Sequence, residues 1–250
     1  MNQSFFSAAV GAHQQLKRLT IHGNNAANVN SYGFKAEKGR FASLMYDDIR
    51  GIDGETHPFG VGACLWTSDT SFTPGPIQET RRAQDYAIEG DGFFAVADLA
   101  TGEVTLTRNG AFAMGSLQRD SGEVDEEGRP VIETVWYLSD EEGRLVLSQT
   151  GGMIEMDPDD AYAPQPVGVF DYGNYNGMEH VDGTRFRAVE KNGGLRLGSG
   201  KLVQGMLEGS NVDFAEEITK VIESQRAYQM ALKMVQTSDE IESTINGLRG

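Results

Sequence analysis

The sequence predicts an α+β protein, with N- and C-terminal helices pairing as a coiled coil and a central antiparallel β domain between them. Three observations predict it. Near the start, Phe5, Ala9, Ala12, Leu16, Leu19, Gly23 and Ala26 recur in alternating steps of four and three. Near the end, Phe214, Ile218, Val221, Gln225, Tyr228, Leu232 and Val235 repeat that step. Between them, short apolar runs alternate with Gly-, Asn- and Asp-containing turns, and no long helical period interrupts them. A 4-3 spacing sets each row on one side of a helix. A helix with one apolar stripe needs a partner, and the matching stripe at the other end of the chain is the nearest candidate. The domain reading is therefore discontinuous. Residues 1–35 and 208–250 form a helical domain, residues 36–83 an extended linker region, and residues 84–207 a β-rich domain.

The first helix is expected from about Ser4 to Asn28, stopped by Asn28 to Gly33, since Asn and Gly tolerate left-handed backbone. A second, short helix is expected from Phe41 to Ile49. From Gly51 to Pro76 the Gly, Pro, Thr and Asp content reads as extended chain and loops. In the middle, Tyr86-Ala87-Ile88 and Phe93 to Val96 flank a turn at Glu89 to Gly92. Val104 to Thr107 leads into Asn109-Gly110, a strong hairpin signal with Phe112 beyond it. Asp140 to Gly143 marks another turn between apolar runs. Phe93 and Phe94 are adjacent, so in a strand they point to opposite faces. One of them is expected in a packed core with Ile88 and Phe112 and the other under a loop or against a neighbouring subunit, with Gly90 and Gly92 shaping backbone rather than holding phosphate. The last helix starts at Asp213, which with Glu216 matches a capping box. It would run about 50 Å, too long to be stable without packing along its length.

Composition narrows the function. The chain has 250 residues and a net charge of −16. That charge opposes nucleic-acid binding and anionic membrane surfaces. No apolar run approaches the roughly 18 residues of a membrane span. The start lacks a basic n-region, and Gln14-Gln15 and Lys17-Arg18 interrupt any apolar h-region, so no secretory signal peptide is expected. No pair among His13, His22, His57, His180 and the single Cys64 has metal-ligand spacing. The acidic run at Asp157 to Asp160 lacks the alternation and Gly of a calcium loop. Gly90-Asp91-Gly92 is not a dinucleotide fingerprint, and Gly198-Ser199-Gly200 is too short for a nucleophile elbow. No catalytic residue, cofactor, metal or small-molecule substrate is expected.

Two sequence blocks carry a resemblance. The run from Asn24, Asn25 and Asn28 through Tyr32 to Gly33, Phe34 and Lys35 resembles the N-terminal signature of flagellar axial proteins. The block Ala87-Ile88-Glu89-Gly90-Asp91-Gly92-Phe93-Phe94 resembles their central motif. Gly205 to Asp213, Gln225 to Gln229 and Thr107 to Phe112 match further segments in the same order. One departure is Ala26, where the family commonly has Leu. The length is similar to that of rod proteins of the flagellar basal body. Tyr46 to Gly62 falls where, by the resemblance, the distal rod protein has a stretch that distinguishes rod from hook; here it looks shorter, which leaves distal and proximal rod proteins both open.

The resemblance implies a structural subunit that polymerises helically into the hollow axial rod across the periplasm. Its partners would be further copies, other rod and hook subunits, and the flagellar type III export apparatus. The assembly interface would be the two stripes: Phe5, Ala9, Ala12, Leu16 and Leu19 on the first helix, and Phe214, Ile218, Val221, Tyr228, Leu232 and Val235 on the last. A second reading, from the stripes alone, is a soluble adaptor or export-chaperone-like protein that binds a partner through exposed terminal helices.

Overall fold

The computed structural model describes residues 3–43, 46–50, 56–60, 63–124, 130–160 and 162–248. The chain divides into two compact units. The first comprises residues 1–29, 36–71 and 212–250, and the second residues 30–35 and 72–211.

The first unit is built on helix α1 (Gln3–Ala27) and helix α2 (Phe214–Gly247), which pack against each other. At the start of α2 the Asp213 carboxylate accepts from the backbone amides of Ala215 and Glu216. The Glu216 side chain does not complete the expected capping box; it pairs with Lys220 at 2.7 Å, one turn along. Among the described residues of the span Phe41 to Ile49, which exclude 44 and 45, there is no helix. Strand Glu37–Ser43 pairs antiparallel with Ala63–Thr70, and Tyr46–Arg50 with Thr56–Gly60. A nine-residue helix is marginal by itself, whereas each strand gains a ladder partner. α1 also meets this pair directly, because Leu65 N donates to the Gln14 side chain at 2.8 Å.

In the second unit every strand pair is antiparallel. An eight-stranded sheet runs in the order Glu155–Met156, Pro130–Ser139, Leu145–Val146, Phe94–Ala97, Val104–Thr107, Arg185–Arg187, Glu179–Asp182, with Ala113–Val124 added to Pro130–Ser139. Separate two-stranded pairs join Tyr86–Glu89 to Lys201–Gln204, and Ile77–Glu79 to Met206–Glu208. The turn at Asp140 to Gly143 forms as expected, with Gly143 at φ +81° and Ser139 opposite Leu145.

Asn109-Gly110 does not close a hairpin. Val104–Thr107 pairs with Phe94–Ala97, and the strand after the turn pairs elsewhere. The tight two-residue hairpin needs positive φ at both positions, and neither Asn109 nor Gly110 has it. Gly110 is required for a different reason: a Cβ there would lie 1.8 Å from the Tyr86 carbonyl oxygen. The Asn109 side chain instead accepts from Ala111 N, and Gly110 O accepts from Tyr86 N.

The core lies on both faces of the run Phe93 to Val96. Phe94 and Val96 join Tyr86, Ile88, Phe112, Leu138 and Val146. Phe93 and Ala95 join Leu106, Phe170, Met178 and Phe186. Both phenylalanines are thus core residues, each of a different cluster, as their alternation requires.

Candidate assembly interface

α2 buries one narrow seam. Residues Glu217, Val221, Ser224, Tyr228, Ala231, Val235, Ser238 and Glu242 are buried or half-buried at alternating steps of four and three. This seam shares Val221, Tyr228 and Val235 with the sequence-derived stripe, but it is rotated by about one residue elsewhere. Glu217, Ser224 and Ala231 occupy it where Ile218, Gln225 and Leu232 were expected. The inward face of α2 is therefore mixed, with Glu217, Ser224, Ser238 and Glu242 set between Val221, Tyr228, Ala231 and Val235. Phe214, Ile218 and Leu232 are exposed on one flank, and Met230, Met234, Ile241 and Ile245 on the other.

Ala12 of α1 is buried; Phe5, Ala9 and Leu19 are half-buried, and Leu16 is exposed. The C-terminal half of α1 turns a different side inward, carrying Ile21, His22 and Asn25. His22 Nδ1 lies 2.6 Å from Glu217 Oε2, both side chains buried, so the seam of α2 is pinned to α1 by one paired contact. Lys220 reaches the other Glu217 oxygen at 3.3 Å.

The motif residues have distinct structural tasks. The Asn25 side chain is fully buried; it donates to Glu37 O at 2.8 Å and accepts from Glu37 N at 2.9 Å. One amide thereby satisfies both backbone groups at the start of a strand. Asn28 donates from its side chain to Asn24 O at 2.9 Å and to the Asn24 side chain at 3.1 Å, closing the last turn of α1. Gly33 sits at φ +68°, and a Cβ there would lie 2.2 Å from Asn109 N. Gly90 and Gly92 also have positive φ, and the Gly90 carbonyl accepts from Arg108 at 2.7 Å.

Five sequence-distant blocks converge on a buried ionic junction within the second unit. Lys35 Nζ lies 2.5 Å from Glu208 Oε1, and Arg108 Nη1 lies 2.9 Å from Glu208 Oε2. All three side chains are at most 4% exposed. Glu208 Oε1 also accepts from Gly75 N, Lys35 donates to Thr73 O, and Arg108 donates to Ile88 O at 3.3 Å. The Arg108 guanidinium lies 5.5 Å from the Phe93 ring centroid, a cation–π arrangement. Burial pushes the Lys35 ammonium below its ordinary value of 10.5; Glu208 opposes that push and Arg108 adds to it. Sequence reasoning gave these three charges no role. The available signal was that Lys35, Arg108 and Glu208 each lie within a segment that carries the family resemblance.

Among the described residues, no group of three or more His, Cys, Asp or Glu side chains could hold a metal ion. No described helix is long and apolar enough to cross a membrane.

Comparison with known proteins finds similar sequences along the whole chain. A family model described as the C-terminal part of flagellar basal body rod FlgEFG proteins matches residues 203–248. The chain is 30% identical over 267 residues to the flagellar basal-body rod protein FlgG of Buchnera aphidicola subsp. Acyrthosiphon pisum, covering 99% of this chain and 100% of that protein. It is 29% identical to FlgG of Bacillus subtilis, with both chains fully covered. It is 27% identical to the rod protein FlgF of Salmonella typhimurium, over 99% of this chain and 98% of that one.

Proposed function

The chain belongs to the flagellar basal-body rod proteins and is a structural subunit of that rod; from this premise we propose how it is built into the polymer. Subunits stack helically into a hollow shaft, and α1 and α2 form coiled-coil seams with each other and with the helices of neighbouring copies. The neighbours are further copies and other axial subunits of rod and hook. The subunit reaches the basal body through the flagellar type III export apparatus. It carries out no reaction.

The observation that carries this reading is the distribution of apolar residues on α2. Its inward seam takes up only part of its apolar residues, while Phe214, Ile218 and Leu232 on one flank and Met230, Met234, Ile241 and Ile245 on the other stay exposed. A helix apolar on several sides is one that ends up surrounded. A single intramolecular partner covers only one of those sides.

The test is Leu232→Asp. Leu232 is 38% exposed in the subunit, so the substitution leaves the monomer folded. In the polymer it buries an unpaired carboxylate, at a cost of several kcal/mol. The variant is expected to be missing from purified basal bodies, and cells that carry only this variant should not swim. Normal swimming would mean that Leu232 faces solvent in the polymer and that this flank of α2 is not an assembly surface.

A further inference from the structure

One aromatic residue of the first unit is aimed outward by a break in its strand. Glu37–Ser43 and Ala63–Thr70 pair in register except at one place. Arg40 lies opposite Thr67 and Phe41 opposite Leu65, which leaves Trp66 as the extra residue of a β-bulge. A bulge re-aims a side chain. Leu65 turns inward: its amide donates to Gln14 of α1, and its side chain lies with that of Ile21 over Gly39. Trp66 is turned away and is 77% exposed. Trp is among the residues most enriched as interface anchors.

The second unit carries an open, mainly apolar cleft of about 670 Å³ beside the hairpin of Phe94–Ala97 and Val104–Thr107. Leu99, Val104 and Met153 line it, each nearly half-exposed, together with the partly buried Leu147. Arg119 and Glu155, paired at 2.9 Å, give it one polar side. Large apolar side chains gathered in one exposed patch with a polar border mark an interaction site.

We propose that Trp66 of one subunit seats in this cleft of a second copy. The apolar walls take the indole, and the Arg119 guanidinium is the electrostatic complement of its ring face, since cations are drawn to Trp more than to other rings. Knob and cleft are different surfaces of one chain, so each copy gives one Trp66 and receives one. Such a heterologous contact repeats along a helical polymer without closing into a dimer. The contact rests on the rod reading and gives it a specific residue pair. One aromatic anchor buries about 150–250 Å². Even doubled for the cleft side, that is far below the roughly 1,200 Å² of a stable interface. This contact therefore leaves the free subunit monomeric and adds to the helix seams only in the polymer.

The test uses cells that produce only the variant chain, scored for that chain in purified basal bodies. Truncating an anchor Trp costs a decade or more in affinity, so Trp66→Ala should lower incorporation about tenfold or more, while the purified variant melts like wild type. Val104→Asp, which puts a carboxylate in the cleft, should lower it similarly. With p-benzoylphenylalanine placed at position 66, irradiated basal bodies should yield two copies of the chain joined between position 66 and residues 97–104 or 147–155. Wild-type incorporation of Trp66→Ala or of Val104→Asp would overturn the contact. So would a crosslink to another protein or another segment. Failure of the benzophenone chain to enter the rod would also overturn it, because the cleft has room for that ring. Leu232→Asp separates the two readings: if it blocks assembly and Trp66→Ala does not, this contact falls and the rod reading stands. Absence of the wild-type chain itself from basal bodies would sink both.

Discussion

Replacing Phe93 or Phe94 by Ala tests whether the motif at residues 87–94 is a packing centre. Phe94 is fully buried among Tyr86, Ile88, Leu138 and Val146, with the Phe112 ring edge-on at 5.2 Å. Those neighbours sit on or beside paired strands and cannot collapse into the space left behind. Phe→Ala in cores costs about 3–5 kcal/mol, and a site that cannot relax falls in the upper half of that range. Phe93 is equally buried but has looser walls, since Phe72 and Tyr175 are only partly buried. Against that relaxation, Phe93 loses aromatic contacts to Phe72 at 5.5 Å and Tyr175 at 5.4 Å, and its place under Arg108. Aromatic pairs are worth about 0.5–1.5 kcal/mol each beyond buried area. Both variants should therefore lose about 4 kcal/mol. With a urea slope of about 2 kcal/mol per molar, the midpoint should fall by about 2 M. The assay is urea unfolding of the full chain in a Trp66→Phe background, read by Trp136, which packs against the Phe94 cluster. A loss under about 1 kcal/mol in both variants would refute the packing argument, because no fully buried Phe in a rigid sheet is so cheaply removed.

Two further outcomes follow from the same contacts. Ser224 is fully buried on the seam of α2, so Ser224→Leu should overpack the α1–α2 contact by about 1–3 kcal/mol. Loss of helical circular dichroism at lower temperature than in Leu232→Asp would distinguish the buried side of α2 from its exposed flank. Asp171 supplies a pH dependence. Burial alone would raise its carboxyl, but the hydroxyl of Tyr175, the guanidinium of Arg196 at 2.7 Å and the Tyr172 amide together hold it below its ordinary 3.8. A carboxyl depressed in the folded state contributes stability that is fully present above its unfolded value and is lost as pH falls through the folded one. Urea midpoints measured from about pH 6 down to about pH 2.5 should therefore fall less steeply in Arg196→Gln than in the wild type. Parallel curves would show that Arg196 does not hold this carboxyl.

Much of the architecture is legible in local pattern. The bounds of both helices, the turn at Asp140 to Gly143, the opposite faces of Phe93 and Phe94, and the backbone role of Gly90 and Gly92 all follow from short-range rules. Helical period, capping chemistry and strand alternation depend on a few neighbouring residues, so one sequence displays them. The family resemblance adds the assembly, because its motifs lie in order along most of the chain. What local pattern does not contain is partner choice. Asn109-Gly110 looks like a hairpin, but its strand pairs elsewhere and its φ values follow the pairing. Phe41 to Ile49 reads as a short helix, but a distant strand offers it a ladder. The seam of α2 carries Glu217 where Ile218 was expected because α1 presents His22 to it, and Glu217 pairs with that ring. The union of Lys35, Arg108 and Glu208 is the extreme case. Their charges are visible at positions 35, 108 and 208, but only the folded backbone brings them within 3 Å of one another's partners. A buried ion pair depends on geometry and exclusion of water, and neither is written in the spacing of residues along a chain.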